Sequence, residues 1–152
     1  MKTRIIRLLI AAVGLAVGGL LLIQLVPYGR DHSNPPVVSE PVWGTAEARA
    51  IAVRACYDCH SNEVDWSPFY TSVAPASWLV QRDVEHGREH LNFSDWERSS
   101  RREGAAETIE EIHEVLNEGE MPPLQYTLVH PEARLSSAEI QILVDGLRTA
   151  GR

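Results

Sequence analysis

The order of apolar and polar positions divides the chain into three parts. Leu8 to Val26 is an uncharged run, and at about 1.5 Å of rise per residue such a run is just long enough to cross a bilayer as a helix. Residues 27–44 hold four prolines among glycine and small polar residues, which favours extended, solvated chain. We therefore predict a membrane anchor or signal sequence in residues 1–26, a proline-rich tether in 27–44 and a folded domain in 45–152.

The pattern of apolar residues in the folded domain predicts helices and no strand. Helices are expected at 45–56, 75–89, around 94–96, 107–117 and 136–151. Thr45 and Ser94 are the expected caps of the first and third of these helices, and Ser136 with Glu139 has the spacing of a capping box. Met121-Pro122-Pro123 cannot continue a helix, because proline lacks the backbone donor. The expected fold class is all-α, and a core of this size is modest unless something fills its middle.

Basic residues at the N-terminus set the orientation of the apolar helix. Lys2, Arg4 and Arg7 precede the run, and basic residues stay on the cytoplasmic side, so residue 27 onward is expected outside the cytoplasm. No small-x-small cleavage pattern follows the run, which favours an uncleaved anchor over a cleaved signal peptide. The expected location is the inner membrane, with the folded domain on the periplasmic side.

Composition and charge narrow the possible partners. The chain has 152 residues, room for one small domain, and its net charge is −7. All 21 acidic residues follow residue 27, so the folded part is strongly acidic and has no electrostatic support for binding nucleic acid. The glutamates at 107–120 are most simply a solvated helix face, and the sharper hypothesis is a docking patch for a basic redox partner.

Cys56-Tyr57-Asp58-Cys59-His60 has the pattern C-x-x-C-H, the attachment sequence of c-type haem. Two thiols on one helical turn can add to the two vinyl groups of a porphyrin, and the adjacent histidine then reaches one face of the iron. A thioredoxin-type disulfide does not require His60 and lacks its βαβ context. A zinc site lacks a second pair of ligands, and a purely structural disulfide is the remaining alternative. The motif predicts one covalent haem per chain, with His60 as an iron ligand.

The second axial position of the iron has several possible ligands. Apart from Met1, Met121 is the single methionine, and it lies in a loop stiffened by Pro122. A chain that uses methionine as core filler normally has more of them, so we predict Met121 as the second ligand. His130 is the main rival, although a local hydrogen bond is its simpler role. The histidines on charged or solvated segments are weaker alternatives, namely His32, His86, His90 and His113.

Aromatic residues follow the motif closely. Trp66, Phe69, Tyr70 and Trp78 lie within thirteen residues, and such side chains either wall a porphyrin or form ordinary core. Trp66, Trp78 and Pro122 are accordingly predicted to contact the cofactor.

Several short motifs follow one another along residues 45–147. They are Cys56 to Asn62, Trp66, Tyr70, Ala74 to Leu79, Leu91 to Trp96, Gly119 to Pro123, Tyr126 and His130 to Ser136. In these motifs the chain resembles the bacterial haem-binding domain family related to class I cytochromes c. The resemblance implies a cytochrome c-like helical domain with one haem, His60 as proximal ligand and Met121 as the distal one.

The resemblance fixes the cofactor better than the role. The first hypothesis is a membrane-anchored periplasmic protein that carries one electron between redox partner proteins and is not an enzyme. The alternative is a haem sensor or peroxidase-like enzyme, in which the sixth position is open or opens when Met121 leaves. A third hypothesis is an accessory subunit whose haem serves one complex.

Overall fold

The structure is a computed structural model that describes residues 2–101 and 104–150. It consists of helices joined by loops. Within these ranges there is no β-strand, only an isolated bridge between Ser39 and Asp95, so the predicted all-α class is confirmed. Short 3₁₀ turns lie at Phe69–Ser72 and Pro131–Ala133. The helices are α1 (Lys2–Ile23), α2 (Ala46–Ala55), α3 (Tyr57–His60), α4 (Ala76–His90), α5 (Trp96–Ser99), α6 (Ala105–Asn117), α7 (Leu124–Val129) and α8 (Ser137–Ala150).

The apolar run forms α1, a helix of 22 residues whose side chains lie almost wholly on the surface. Its length and composition suit a membrane span, and a signal sequence has the same two properties. The chain divides into two compact units. The first unit comprises Met1–Ser33 and Trp66–Asp83, and the second comprises Asn34–Asp65 and Val84–Arg152.

Within the first unit, the end of α1 is bonded to the segment that precedes α4. The side-chain amide of Gln24 donates to the carbonyl of Ala74 at 2.9 Å and accepts from the N–H of Ala74 at 3.0 Å. Further along, the ring of His32 stacks on Trp66 with centroids 4.7 Å apart, and its Nε2 lies 2.9 Å from the carbonyl oxygen of Thr71. These bonds give residues 24–32 fixed partners in residues 66–74.

The second unit holds the hydrophobic core, in which α8 packs against both α2 and α6. The apolar residues that predict the last two long helices lie mostly in the core. On α6, Ile109, Ile112 and Leu116 are buried and Val115 is half-buried. On α8, the buried residues are Ile140, Leu143, Val144 and Leu147. The crossing of α2 and α8 is close, because a Cβ added at Gly146 would overlap the Cβ of Ala48. The first and last helices of the folded domain therefore pair directly.

Two of the predicted helix caps are confirmed. The hydroxyl of Thr45 accepts from the N–H of Ala48 at 3.0 Å and starts α2. The Ser136–Glu139 capping box is reciprocal, since the Glu139 N–H donates to the Ser136 hydroxyl and the Ser136 N–H donates to the Glu139 carboxylate. The predicted end of the last helix at Gly151 lies outside the described residues.

Other local expectations differ from the structure. Ser94 does not cap α5, because the N-cap of this helix is Asp95. The hydroxyl of Ser94 accepts instead from the backbone N–H of Asn62 at 2.9 Å. The six-residue helix α7 follows the proline pair and was not expected. Residues 34–44 form no helix. They belong to the second unit, in which the N–H groups of Val38 and Ser39 both donate to the Ser94 carbonyl.

Candidate haem-binding site

The C-x-x-C-H motif forms one helical turn at the junction of α2 and α3. The N–H of Cys56 still donates to Ala52 at the end of α2, at 2.8 Å. The N–H groups of Cys59 and His60 then both donate to the carbonyl of Cys56, at 3.1 and 2.8 Å. This turn places the two sulfur-bearing residues three positions apart, one above the other, with the histidine directly after the second.

The imidazole of His60 is held by two backbone carbonyls. Its Nδ1 lies 3.0 Å from the carbonyl oxygen of Gly87 and 3.0 Å from that of Leu91. Because a carbonyl oxygen can only accept, Nδ1 must carry the proton, and the lone pair is therefore on Nε2. Burial lowers the pKa of His60, which keeps the ring neutral near pH 7. A neutral imidazole oriented through Nδ1 is the form that binds metal through Nε2.

Gly87 lets α4 approach the motif closely. A Cβ added at this position would lie 2.8 Å from the carbonyl carbon of Cys59 and 3.1 Å from its Cβ, and nearer still to its carbonyl oxygen. A side chain at residue 87 would therefore separate the carbonyl of α4 from the ring of His60. Gly87 lies inside the helix that the sequence predicts at 75–89, and an isolated glycine inside a helix is a sequence signal for such a packing reason.

Both cysteines carry thiols. Burial and the neighbouring Cys59 raise the pKa of the Cys56 thiol to about 12, so this sulfur is protonated at neutral pH. The thiol pair and the neutral imidazole match the donor set that a covalently bound haem requires. The residues present therefore fit the group: Cys56 and Cys59 would hold the porphyrin, and His60 would bind its iron.

Tyr57 fixes the motif in the core of the second unit. Its ring stacks on Phe93 with centroids 5.7 Å apart, and its hydroxyl donates to the carboxylate of Glu40 at 3.0 Å. Glu40 also accepts two bonds from Arg49, at 2.7 and 3.2 Å, and this guanidinium holds the pKa of the Glu40 carboxyl below its ordinary value. The motif is thereby joined to the extended segment and to α2.

Buried amides and hydroxyls secure the chain just after the motif. Ser61 donates from its hydroxyl to the Tyr57 carbonyl at 2.8 Å. Asn62 donates from its side chain to the Pro36 carbonyl at 3.0 Å and accepts from the side chain of Asn92 at 3.0 Å. Neither Asn62 nor Asn92 had been expected to support the site, because their partners lie far away in sequence.

A second bonded connection joins the motif to α7. The hydroxyl of Tyr126 donates to the carboxylate of Asp58 at 2.7 Å, and Asp58 is the third residue of the motif. From Tyr126 the chain runs back to Pro123, the N-cap of α7, and to Met121 at a cis peptide bond with Pro122. Met121 is 40% exposed. The predicted second ligand is thus five residues from a side chain that bonds to the motif.

The other predicted residues have various surroundings. His130 is engaged locally: its Nδ1 lies 3.0 Å from the carboxylate of Glu132, and its ring stacks on Tyr126 with centroids 4.5 Å apart. Trp66 and Trp78 belong to the first unit, and within the described residues the buried Nε1 of Trp78 has no hydrogen-bond partner. The predicted porphyrin contacts of Trp66, Trp78 and Pro122 stay predictions.

Comparison with known proteins gives a family match. Searches of curated proteins and of solved structures found no significant relative. The model of a family described as the haem-binding domain matches residues 18–149, a range that includes the motif, its supporting residues and all of α2 to α7. The chain belongs to the haem-binding domain family.

Proposed function

We propose that this protein carries one covalently attached haem c on Cys56 and Cys59 and transfers single electrons at the outer face of the inner membrane. The observation that carries the proposal is the state of His60. Its Nδ1 is held by two carbonyls at 3.0 Å, so its Nε2 lone pair is fixed in direction before any iron arrives. When bound, the haem supplies an iron that changes its charge by one electron.

Met121 is the proposed second axial ligand. It is the one methionine in residues 2–152. The loop that holds it continues into α7, and Tyr126 of α7 donates a hydrogen bond to Asp58 of the motif. His130 is the competing ligand. Its ring is stacked on Tyr126 and bonded to Glu132, and this local engagement favours Met121. Methionine with histidine raises the reduction potential of a haem relative to other ligand pairs, which suits a carrier.

The N-terminal helix is proposed as an uncleaved anchor. Three basic residues lie in its first turns, namely Lys2, Arg4 and Arg7, and they orient the chain after the helix to the outside of the cytoplasm. The amide of Gln24, just after α1, makes two bonds with the backbone of Ala74. A residue so close to the end of the apolar helix is thus part of the folded structure, as expected of an anchor that stays on the chain.

Redox proteins with basic surfaces are the proposed partners. The exposed face of α6 and the turn after it carry six glutamates: Glu107, Glu110, Glu111, Glu114, Glu118 and Glu120. One basic side chain of the protein is already bonded to this face, since Arg148 lies 2.7 Å from Glu110. A partner that presents arginines or lysines would be attracted to the same face and would associate faster at low salt.

The test is the visible and near-infrared spectrum of the full chain, expressed with haem-c maturation factors. Ferric haem with a methionine ligand has a weak near-infrared charge-transfer band. We expect the band in the unmodified protein and in His130→Ala, and its loss in Met121→Ala. The reduced protein should not bind carbon monoxide readily at neutral pH. Ready carbon monoxide binding without the band would refute the carrier and favour the sensor or peroxidase-like alternative.

A further inference from the structure

Large apolar side chains are exposed on the segment that leads into α4. Phe69 is 79% exposed, Leu79 is 58% exposed and Val73 is 46% exposed. We call these three residues the apolar patch. Apolar residues scattered singly on a surface are normal, but these three lie within eleven positions, in and beside a segment that is hydrogen-bonded to the end of an apolar helix.

The apolar patch is bonded to the end of α1. Gln24 reaches back to the carbonyl of Leu20 at 3.0 Å and forward to both backbone groups of Ala74, at 2.9 and 3.0 Å. Ala74 directly follows Val73, and it is buried. The segment with the patch therefore cannot move away from the helix end without breaking two hydrogen bonds at a single residue.

The depth of Gln24 follows from the length of α1. Lys2, Arg4 and Arg7 lie in the first turns of α1, so its uncharged part is residues 8–23. At about 1.5 Å per residue this part spans about 24 Å of a hydrocarbon core that is about 30 Å thick. Gln24 then lies within about one helical turn of the boundary between acyl chains and headgroups. Arg30 donates a hydrogen bond to the Gln24 carbonyl, which places a guanidinium at the same boundary, where lipid phosphates lie.

We propose that the apolar patch inserts into the outer leaflet of the membrane at the level of the headgroup and acyl boundary. This inference rests on the proposed anchoring by α1. Ala74 is within hydrogen-bonding distance of Gln24, so Val73 has the depth of that boundary. Aromatic and apolar side chains are favoured there, and Tyr28, which is 42% exposed, adds a further aromatic ring four residues after Gln24. The chain would thus contact the bilayer twice, through a spanning helix and through a loop.

Photo-cross-linking of the full-length holoprotein in proteoliposomes of phosphatidylethanolamine and phosphatidylglycerol tests the inference. The photoreactive residue p-benzoylphenylalanine replaces Phe69 in one sample. In the control it replaces Val42, which is 75% exposed but belongs to the second unit. Mass spectrometry then counts lipid adducts. We expect a lipid adduct yield at residue 69 several-fold above that at residue 42, and a reduced yield at residue 69 when Gln24→Ala is added.

Each other result has its own meaning. Equal lipid adducts at the two positions, or adducts at residue 69 with protein alone, would overturn the inference, while a full-length chain that resists carbonate extraction would still support the anchor. If the intact mass instead shows that the N-terminal helix has been removed, the anchor and the inference fall together. Retention of the protein in the membrane thus separates failure of the loop contact from failure of the anchor.

Discussion

Replacing Gly87 by alanine should weaken both the fold and the orientation of His60. A Cβ at residue 87 would lie 2.8 Å from the carbonyl carbon of Cys59 and nearer still to its carbonyl oxygen, whereas an ordinary contact begins at 3.4 Å. The two backbones must therefore separate by at least about 0.6 Å. Backbone atoms cannot rotate away as a flexible side chain can. A separation of that size would lengthen the 3.0 Å bond between the Gly87 carbonyl and Nδ1 of His60 beyond hydrogen-bonding range.

The free-energy terms of Gly87→Ala have opposite signs. Overpacking costs about 1–3 kcal/mol, and the weakened hydrogen bond adds about 1 kcal/mol. Alanine regains about 1 kcal/mol as the better helix former. We expect the free energy of unfolding to fall by about 1–3 kcal/mol, the sum of these contributions.

Guanidinium unfolding of the detergent-solubilised full chain, followed by circular dichroism, measures this change. Glu89→Ala is the matched control, because Glu89 is exposed on the same helix and its replacement should change stability by no more than about 0.5 kcal/mol. The ratio of haem absorbance to protein should also fall in Gly87→Ala alone. A Gly87→Ala protein as stable as the Glu89→Ala protein, with unchanged haem content, would refute the close approach of α4.

Two further predictions concern single side chains. Tyr126→Phe removes the 2.7 Å hydrogen bond to the Asp58 carboxylate. It should lower the free energy of unfolding by about 1.5–3 kcal/mol, the range for a hydrogen bond to a charged group. His130→Ala leaves that bond in place and is the comparison, so equal melting temperatures of the two variants would contradict the prediction. The backbone N–H of Ser136, with Arg54, lowers the pKa of Glu139 to about 2 from its ordinary 4.5, so its ionised form stabilises the fold above pH 4.5 and this contribution is lost as pH falls toward 2. The stability advantage of the unmodified protein over Glu139→Gln should shrink across that interval in acid denaturation, and a constant difference would contradict it.

Local signals predicted much of the fold. The stripes of α6 and α8 repeat every three or four residues, and the caps at Thr45 and Ser136 depend on bonds to residues three positions away. Such features are complete within a few residues of sequence. The same holds for the motif, whose turn is closed by the carbonyl of Cys56.

What the sequence pattern missed depends on distant partners. The hydroxyl of Ser94 was expected to cap α5, but the N–H of Asn62 occupies it. In α7 both Leu124 and Leu128 are exposed and Thr127 is the buried residue. The helix therefore has no buried apolar stripe from which the sequence could predict it. The tautomer of His60 was equally hidden, because the two carbonyls that set it belong to residues 87 and 91. For Ser94 and for His60, the deciding hydrogen bond joins residues that are distant in sequence.

The pairing of α2 with α8 determines when, during synthesis of the chain, α2 can complete its packing. The helix that leads into the C-x-x-C-H motif is the first of the folded domain to be made, and its partner, which presses Gly146 against Ala48, is the last. Until α8 has been synthesised, α2 and the motif that follows it lack their main packing surface. The final arrangement of the Cys56 and Cys59 thiols therefore depends on the C-terminal helix, although no residue of that helix belongs to the motif.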